Sequence, residues 1–438
     1  MTGIYGALFS GVTALNAQSQ SMAALSDNIS NVNTIGYKRT IARFSTLVTD
    51  TTSRTRYSPG GVQATPFQQI DKQGLIQASS STTDLAISGK GFFVVSNQSS
   101  QSASGAVNVF TRAGGFSADK NGYLVNAAGY FLQGYKLNTA GAFLTPAGVT
   151  TNATDLFSNL QTVNLSDQTS VAVPTRNVGI IANLPPTTGV TPTQQTNVTV
   201  YDSLGQTQQM LLTWTPTALN SWTVALSFNP TSITAPATAF TVVFNNAGQL
   251  IQVGTNTTPS ASGILSVSGI NFSAVVGTTA GVTQPTTINL NLGIIGQGAG
   301  LSQVAGGYTV NSLTQDGVAP AGVSGVSIDS SGNVTVVYAN GLSSRIYRLA
   351  VATFQTPNAL QRKEGNTYAT TDISGDPQLR PANTGTSGAI SPSSLEGSTV
   401  DLAEEFTNMI ITQRAYTAAT KVITTADEML DEVVRLKR

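Results

Sequence analysis

The stretch from Leu395 to Arg438 limits the fold more than any other, because Leu402, Met409, Tyr416, Ile423 and Leu430 recur every seven residues. A companion row, Phe406, Gln413, Thr420, Asp427 and Val434, is apolar only at its two ends. A period of seven makes one narrow seam along a long helix. Ser398 or Asp401 can cap its start, with Glu404 reaching back three residues after Asp401. Acidic residues at 401, 404 and 405 and basic ones at 435, 437 and 438 suit the two ends of the helix dipole. At 1.5 Å per residue such a helix runs about 55 Å, more than a compact domain needs, so its seam demands another long partner.

The chain start supplies one. Leu8, Leu15, Met22 and Ile29 repeat by sevens, with Ile4, Leu25 and Val32 in the neighbouring row and Gly11 and Gln18 as interruptions. Asp27 is the single charge before Lys38. A membrane span is the rival reading, but no run of about 18 apolar residues occurs. A secretory signal would place basic residues ahead of the apolar core, and none stands there. The expected assembly interface is therefore Leu8, Leu15, Met22, Leu25, Ile29 and Val32 with Leu402, Phe406, Met409, Tyr416, Ile423, Leu430 and Val434. Seams of this length are expected to stay unfinished in one monomer and to be completed by sister copies. The first helix should end where Asn28, Asn31 and Asn33 compete for backbone hydrogen bonds, Gly36 takes a left-handed turn and Tyr37 packs back.

Chemistry is scarce along the chain. There is no Cys, hence no disulfide or thiolate site, and no His, the commonest metal ligand and neutral-pH base. Lys plus Arg equals Asp plus Glu at 21 each, which leaves no electrostatic footprint for nucleic acid or an acidic membrane. The cluster Lys38, Arg39, Arg43, Arg54 and Arg56 lacks interleaved stacking aromatics and reads as solvated or subunit-facing. Gly89-Lys90-Gly91 lacks the spacing of a phosphate loop, and the glycines from 296 to 300 open no helical pattern. Asp71 and Asp84 could be offered as a catalytic pair, but isolated acids are usually turn residues. No cofactor, metal or catalytic residue is expected.

Between the ends the pattern is β. Short apolar runs at 85–87, 92–95, 109–116 and 123–125 alternate with turns at 119–122 and 126–129. From Asp202 to Asp316 no charged residue intervenes, yet strands continue at 198–201, 210–214, 222–228 and 240–244, an antiparallel barrel or sandwich. Charge returns at Asp316, and runs at 334–338 and 346–354 resemble the strands before residue 150. The expected architecture is multidomain α+β, with terminal helices forming a coiled-coil-like inner domain and mostly antiparallel β outer domains. Its parts are 1–37 with 396–438 (helical assembly), 38–83 with 375–395 (extended linker), 84–173 with 316–374 (discontinuous β domain) and 174–315 (inserted outer β domain).

These residues resemble a known family, the flagellar rod and hook axial proteins. Asp27-Asn28-Ile29-Ser30-Asn31-Val32-Asn33-Thr34 followed by Gly36-Tyr37-Lys38 is similar to its N-terminal signature. At the other end Leu395-Glu396-Gly397-Ser398, Gln413-Arg414-Ala415-Tyr416 and Thr425-Ala426-Asp427-Glu428-Met429-Leu430 are similar to its C-terminal one. Asp27, Ser30, Thr399 and Ala419 depart from the family pattern. The large middle insertion, and Thr199-Val200-Tyr201-Asp202-Ser203-Leu204-Gly205 within it, resemble the hook branch more than the distal rod. The resemblance implies a structural subunit that polymerises through its terminal helices into a flexible curved tube transmitting torque from rod to filament. It also implies extracellular placement through the flagellar type III export apparatus without a cleaved signal peptide, and rod, hook-cap and hook-filament junction proteins as partners besides self. A β-rich adhesin or surface-layer protein is the reading from a different class.

Overall fold

The computed structural model describes residues 2–47, 60–99, 107–138, 143, 159–166, 172–186, 192–229, 239–255, 257, 262–268, 270 and 287–436. They are mostly β, with a helix at each end, α1 (Thr2–Ser30) and α2 (Leu402–Leu436). The chain divides into two compact units: residues 1–167, 324–337 and 343–438, and residues 168–323 with 338–342.

In the first unit, the strand Ser343–Thr353 is the organising element of a large antiparallel sheet. It pairs with Phe131–Lys136 and Phe92–Ser96 from before the middle stretch and with Asn333–Tyr338 and Gln378–Pro381 from after it. Phe92–Ser96 is buried at every position, as a strand covered on both faces must be. Phe92, Phe354 and Tyr368 meet edge to face in its core, with Tyr135 and Leu360 beside them. The stretch after α1 forms a separate antiparallel ribbon, Thr40–Leu47 with Gly61–Gln68. Of the basic cluster, Arg54 and Arg56 lie outside the described residues.

The second unit is a sandwich. A five-stranded antiparallel sheet (residues 194–253) and a four-stranded sheet close over one core. Strict alternation builds it: Gln208, Met210, Leu212 and Trp214 point in while their neighbours point out. The four-stranded sheet is not wholly antiparallel, because Asn177–Asn183 runs parallel to Thr287–Ile294. Period-2 alternation is the same in both pairings, so the sequence pattern is silent on this point.

One turn recurs among the described residues of both units: Asp119, Asn126, Asp202, Asn245 and Asp329 each start a tight hairpin. In each the side-chain oxygen accepts the N–H groups two and four residues on. The fourth position is always Gly at positive φ, between 76° and 84°. An Asx turn ending in a left-handed glycine is thus the standard hairpin of this chain.

Asp316 clips two strands of the four-stranded sheet. Its carboxylate accepts the N–H groups of Arg176 and Asn177 at 2.8 and 2.9 Å and the Asn177 amide at 2.7 Å. Partial burial pushes its pKa up, but these hydrogen bonds outweigh it and the net shift is downward. The stability this gives is complete above the ordinary value near 3.8 and is lost as pH falls through the lower folded value. Asp316→Asn should flatten the acid limb of this unit's unfolding. Tryptophan fluorescence reads it, since both Trp residues of the chain, 214 and 222, are buried there.

Candidate assembly surface

Asp401, not Ser398, caps α2: its Oδ1 accepts the N–H groups of Ala403 and Glu404 at 2.9 and 3.3 Å. The Glu404 carboxylate does not reach back to complete a capping box and instead accepts Arg39 at 2.7 Å. At the other helix, Gly36 takes φ 68°, and a Cβ there would stand 2.7 Å from the Ala113 nitrogen. Tyr37 is buried and donates its hydroxyl to Asn28 Oδ1 at 3.2 Å. Burial raises its pKa, with Arg362 opposing.

The two helices pack against each other within the chain, antiparallel, with Gly11 against Ile423 and Asn28 bonded to Glu405 at 3.1 Å. The fully buried positions of the two helices are mostly small or polar, and α1 shares its burial between α2 and the ribbon. On α2 the buried positions are Glu405, Thr412, Ala419 and Ala426, spaced by seven; on α1 they are Gly11, Ala17, Ala24, Leu25 and Asn28. Small residues let two helix backbones approach closely, and Gly11 is required: a Cβ would lie 2.7 Å from Ile423 Cγ1. Gly11→Leu should cost about 1–3 kcal/mol through overpacking, seen as a lower midpoint for the loss of helical circular dichroism.

The apolar rows expected to form the interface therefore flank this contact. Leu25 is buried in it; Leu8, Leu15, Met22, Ile29, Val32, Met409, Ile423 and Leu430 are half-buried; Leu402, Phe406, Tyr416 and Val434 are exposed. Ile410, Ile411, Val422, Met429 and Val433 on α2 are exposed as well. The expectation that both seams wait for other copies changes accordingly, since helix pairing occurs in one chain and the large side chains are what remains uncovered. Gly11, read from sequence as an interruption, is where the helices touch. Of the helix-end signature, Asn28, Gly36 and Tyr37 are buried, Asn31 is half-buried and Asn33 exposed. Asn31 and Asn33 border a cleft of about 920 Å³ beside Ile35 and Arg362.

Where the helices join the β body, charges are sealed inside. Glu396, fully buried, accepts Lys38 Nζ at 2.5 Å, Arg112 at 2.9 Å and the Gly74 N–H at 2.8 Å. Lys38, also fully buried, donates in addition to the Lys72 carbonyl, and burial lowers its pKa against the pull of Glu396. Arg39 pairs with Glu404 and, at 2.5 Å, with Glu405. Asn28 ties both helices to the ribbon, donating to the Thr40 carbonyl and to Glu405 while accepting the Thr40 N–H. Lys38, read from sequence as part of a solvated or subunit-facing segment, thus lies in a buried joint with half-buried Arg39 beside it. Their acidic partners stand more than 350 residues away in the chain.

Asp84, offered as a catalytic acid, takes the Ser79 hydroxyl at 2.5 Å and bridges Gly115 through its backbone. No helix among the described residues is long and apolar enough to cross a membrane. No group of three His, Cys, Asp or Glu side chains among them could hold a metal.

Four stretches match family models: residues 8–38 the flagella basal body rod protein, 86–180 the flagellar hook protein FlgE/F/G D1 domain, 164–318 the flagellar basal body protein FlaE D2 domain, and 391–436 the flagellar basal body rod FlgEFG protein C-terminal region. The chain is 35% identical to the flagellar hook protein FlgE of Rhizobium meliloti, over 99% of this chain and 100% of that one. It is 34% identical to FlgE of Brucella suis, with the same coverage of each. With helical ends, β body and large middle unit all matched in one collinear alignment, the chain belongs to the flagellar hook protein FlgE family.

Proposed function

We propose that this chain is the repeating structural subunit of a flagellar hook, a curved tube that polymerises through α1 and α2 and transmits torque from rod to filament while bending. One observation carries it: after α1 and α2 close on each other through small residues, α2 still exposes Leu402, Phe406, Ile410, Ile411, Tyr416, Val422, Met429, Val433 and Val434. Apolar residues strung along a whole helix need a cover, and sister copies supply it most economically. The interface residues anticipated from sequence flank the internal contact, so the helix pairs of neighbouring copies would build a coiled-coil-like inner wall with the β parts outside.

The anticipated four-part division belongs to this proposal too. Residues 1–37 with 396–438 would form the wall, 38–83 with 375–395 an extended linker, 84–173 with 316–374 a discontinuous β domain and 174–315 an inserted β domain. Family membership supports placement outside the cell through the flagellar export apparatus, without a cleaved signal. It also supports contact with rod, cap and junction proteins. The test is polymerisation itself: purified chain should form tubes visible by electron microscopy, and glycan binding without tubes would favour the adhesin reading instead.

A further inference from the structure

Two apolar features at opposite ends of the helix pair stay about half exposed among the described residues, although the Phe9 ring edge touches Gly61 of the ribbon. At one end Tyr5, Phe9 and Val12, spaced by four and three and so on one face, are exposed by 61%, 51% and 48%. No charge precedes Asp27 on this helix. At the other end the strand Thr40–Leu47 lies beside both helices and leaves a cleft of about 310 Å³, lined by Leu25, Ile41, Phe44, Ile411 and Ala415. Phe44 and Ile411 are 49% and 59% exposed. The charges at the cleft, Arg39 and Glu405, neutralise each other at 2.5 Å.

Knob and cleft can meet without stranding a charge: the knob's side chains are uncharged, and the cleft sets apolar Leu25, Ile41, Phe44 and Ile411 beside polar Gln18, Ser21, Asn408 and Thr412, with its two charges already paired. They cannot meet in one molecule. Gly11 stands at Ile423, twelve residues along α2 from Ile411 and about 18 Å away at the helical rise.

We propose that the Tyr5–Phe9–Val12 face of one copy seats in the Phe44–Ile411 cleft of the next, a head-to-tail contact along the helix axis. Knob and cleft lie at different ends of one body, so the contact is heterologous and repeats without closing, as a tube requires. The inference rests on the tube reading and adds to it the pair of surfaces that sets the axial repeat.

The chain has no Cys, which makes the test clean. Phe9→Cys and Ile411→Cys chains are mixed, allowed to form tubes and treated with a mild oxidant. A disulfide needs Cα atoms within about 7 Å, out of reach inside one chain. The expected result is a disulfide dimer in the mixture and none in either variant alone. Ile411→Asp should raise the concentration needed for polymerisation about tenfold or more. Tubes that form without a 9–411 disulfide, or with 9–9 disulfides dominating, overturn the inference and leave the tube reading standing. If the unmodified chain forms no tubes, the tube reading fails and this contact fails with it.

Discussion

Glu396→Ala lowers the stability of the first unit by about 3–5 kcal/mol, because removing the shared anion leaves two buried cations with backbone carbonyls alone and no counter-charge. Lys38→Met costs less, since Glu396 keeps Arg112 and the Gly74 N–H. The ordering distinguishes a shared-anion joint from an ordinary packing defect, in which both truncations would cost alike. Two probes separate the units: helical circular dichroism follows α1 and α2, and fluorescence of Trp214 and Trp222 follows the sandwich. The account expects a shift in the first and none in the second. Equal shifts, or no difference between the two variants, would reject it.

The second large effect concerns assembly, not folding. Phe406, Ile410 and Met429 are each about half exposed on α2 and contribute little to the contact with α1. Replacing all three by Ser should leave the unfolding midpoint within the small range usual for surface changes, about 0.5 kcal/mol each. Polymerisation should be lost, since each buried apolar side chain contributes about 1.5–3 kcal/mol at an interface repeated in every copy. A variant that unfolds instead would mean these residues belong to the monomer's core.

Much of this organisation was legible in the residues. The seven-residue period gave both helices, Asp401 was one of two named caps, and Gly36 adopts the positive φ anticipated from its place after three Asn residues. The hairpins starting at Asp119 and Asn126 could be read because turn chemistry is local. What escaped was whatever depends on pairs distant in sequence. Lys38 reads as solvated until Glu396 and Arg112 are placed beside it, and no local pattern announces a partner 358 residues away.

The helix contact escaped for another reason. Apolarity does not mark burial in these helices: close packing favours Gly and Ala at the contact and leaves many large side chains outside. A seven-residue row of Glu405, Thr412, Ala419 and Ala426 was available as a signal, but only to a search for small residues. The parallel strand pair in the sandwich had no signal at all, since both pairings share one alternation.

The central claim is that the helix pair is complete as a fold and incomplete as a surface. Sedimentation of the unmodified chain over a concentration series tests it most directly. The account predicts monomer below a threshold and, above it, abrupt growth into open-ended polymer. Monomer at every attainable concentration, or a dimer that grows no further, would contradict it.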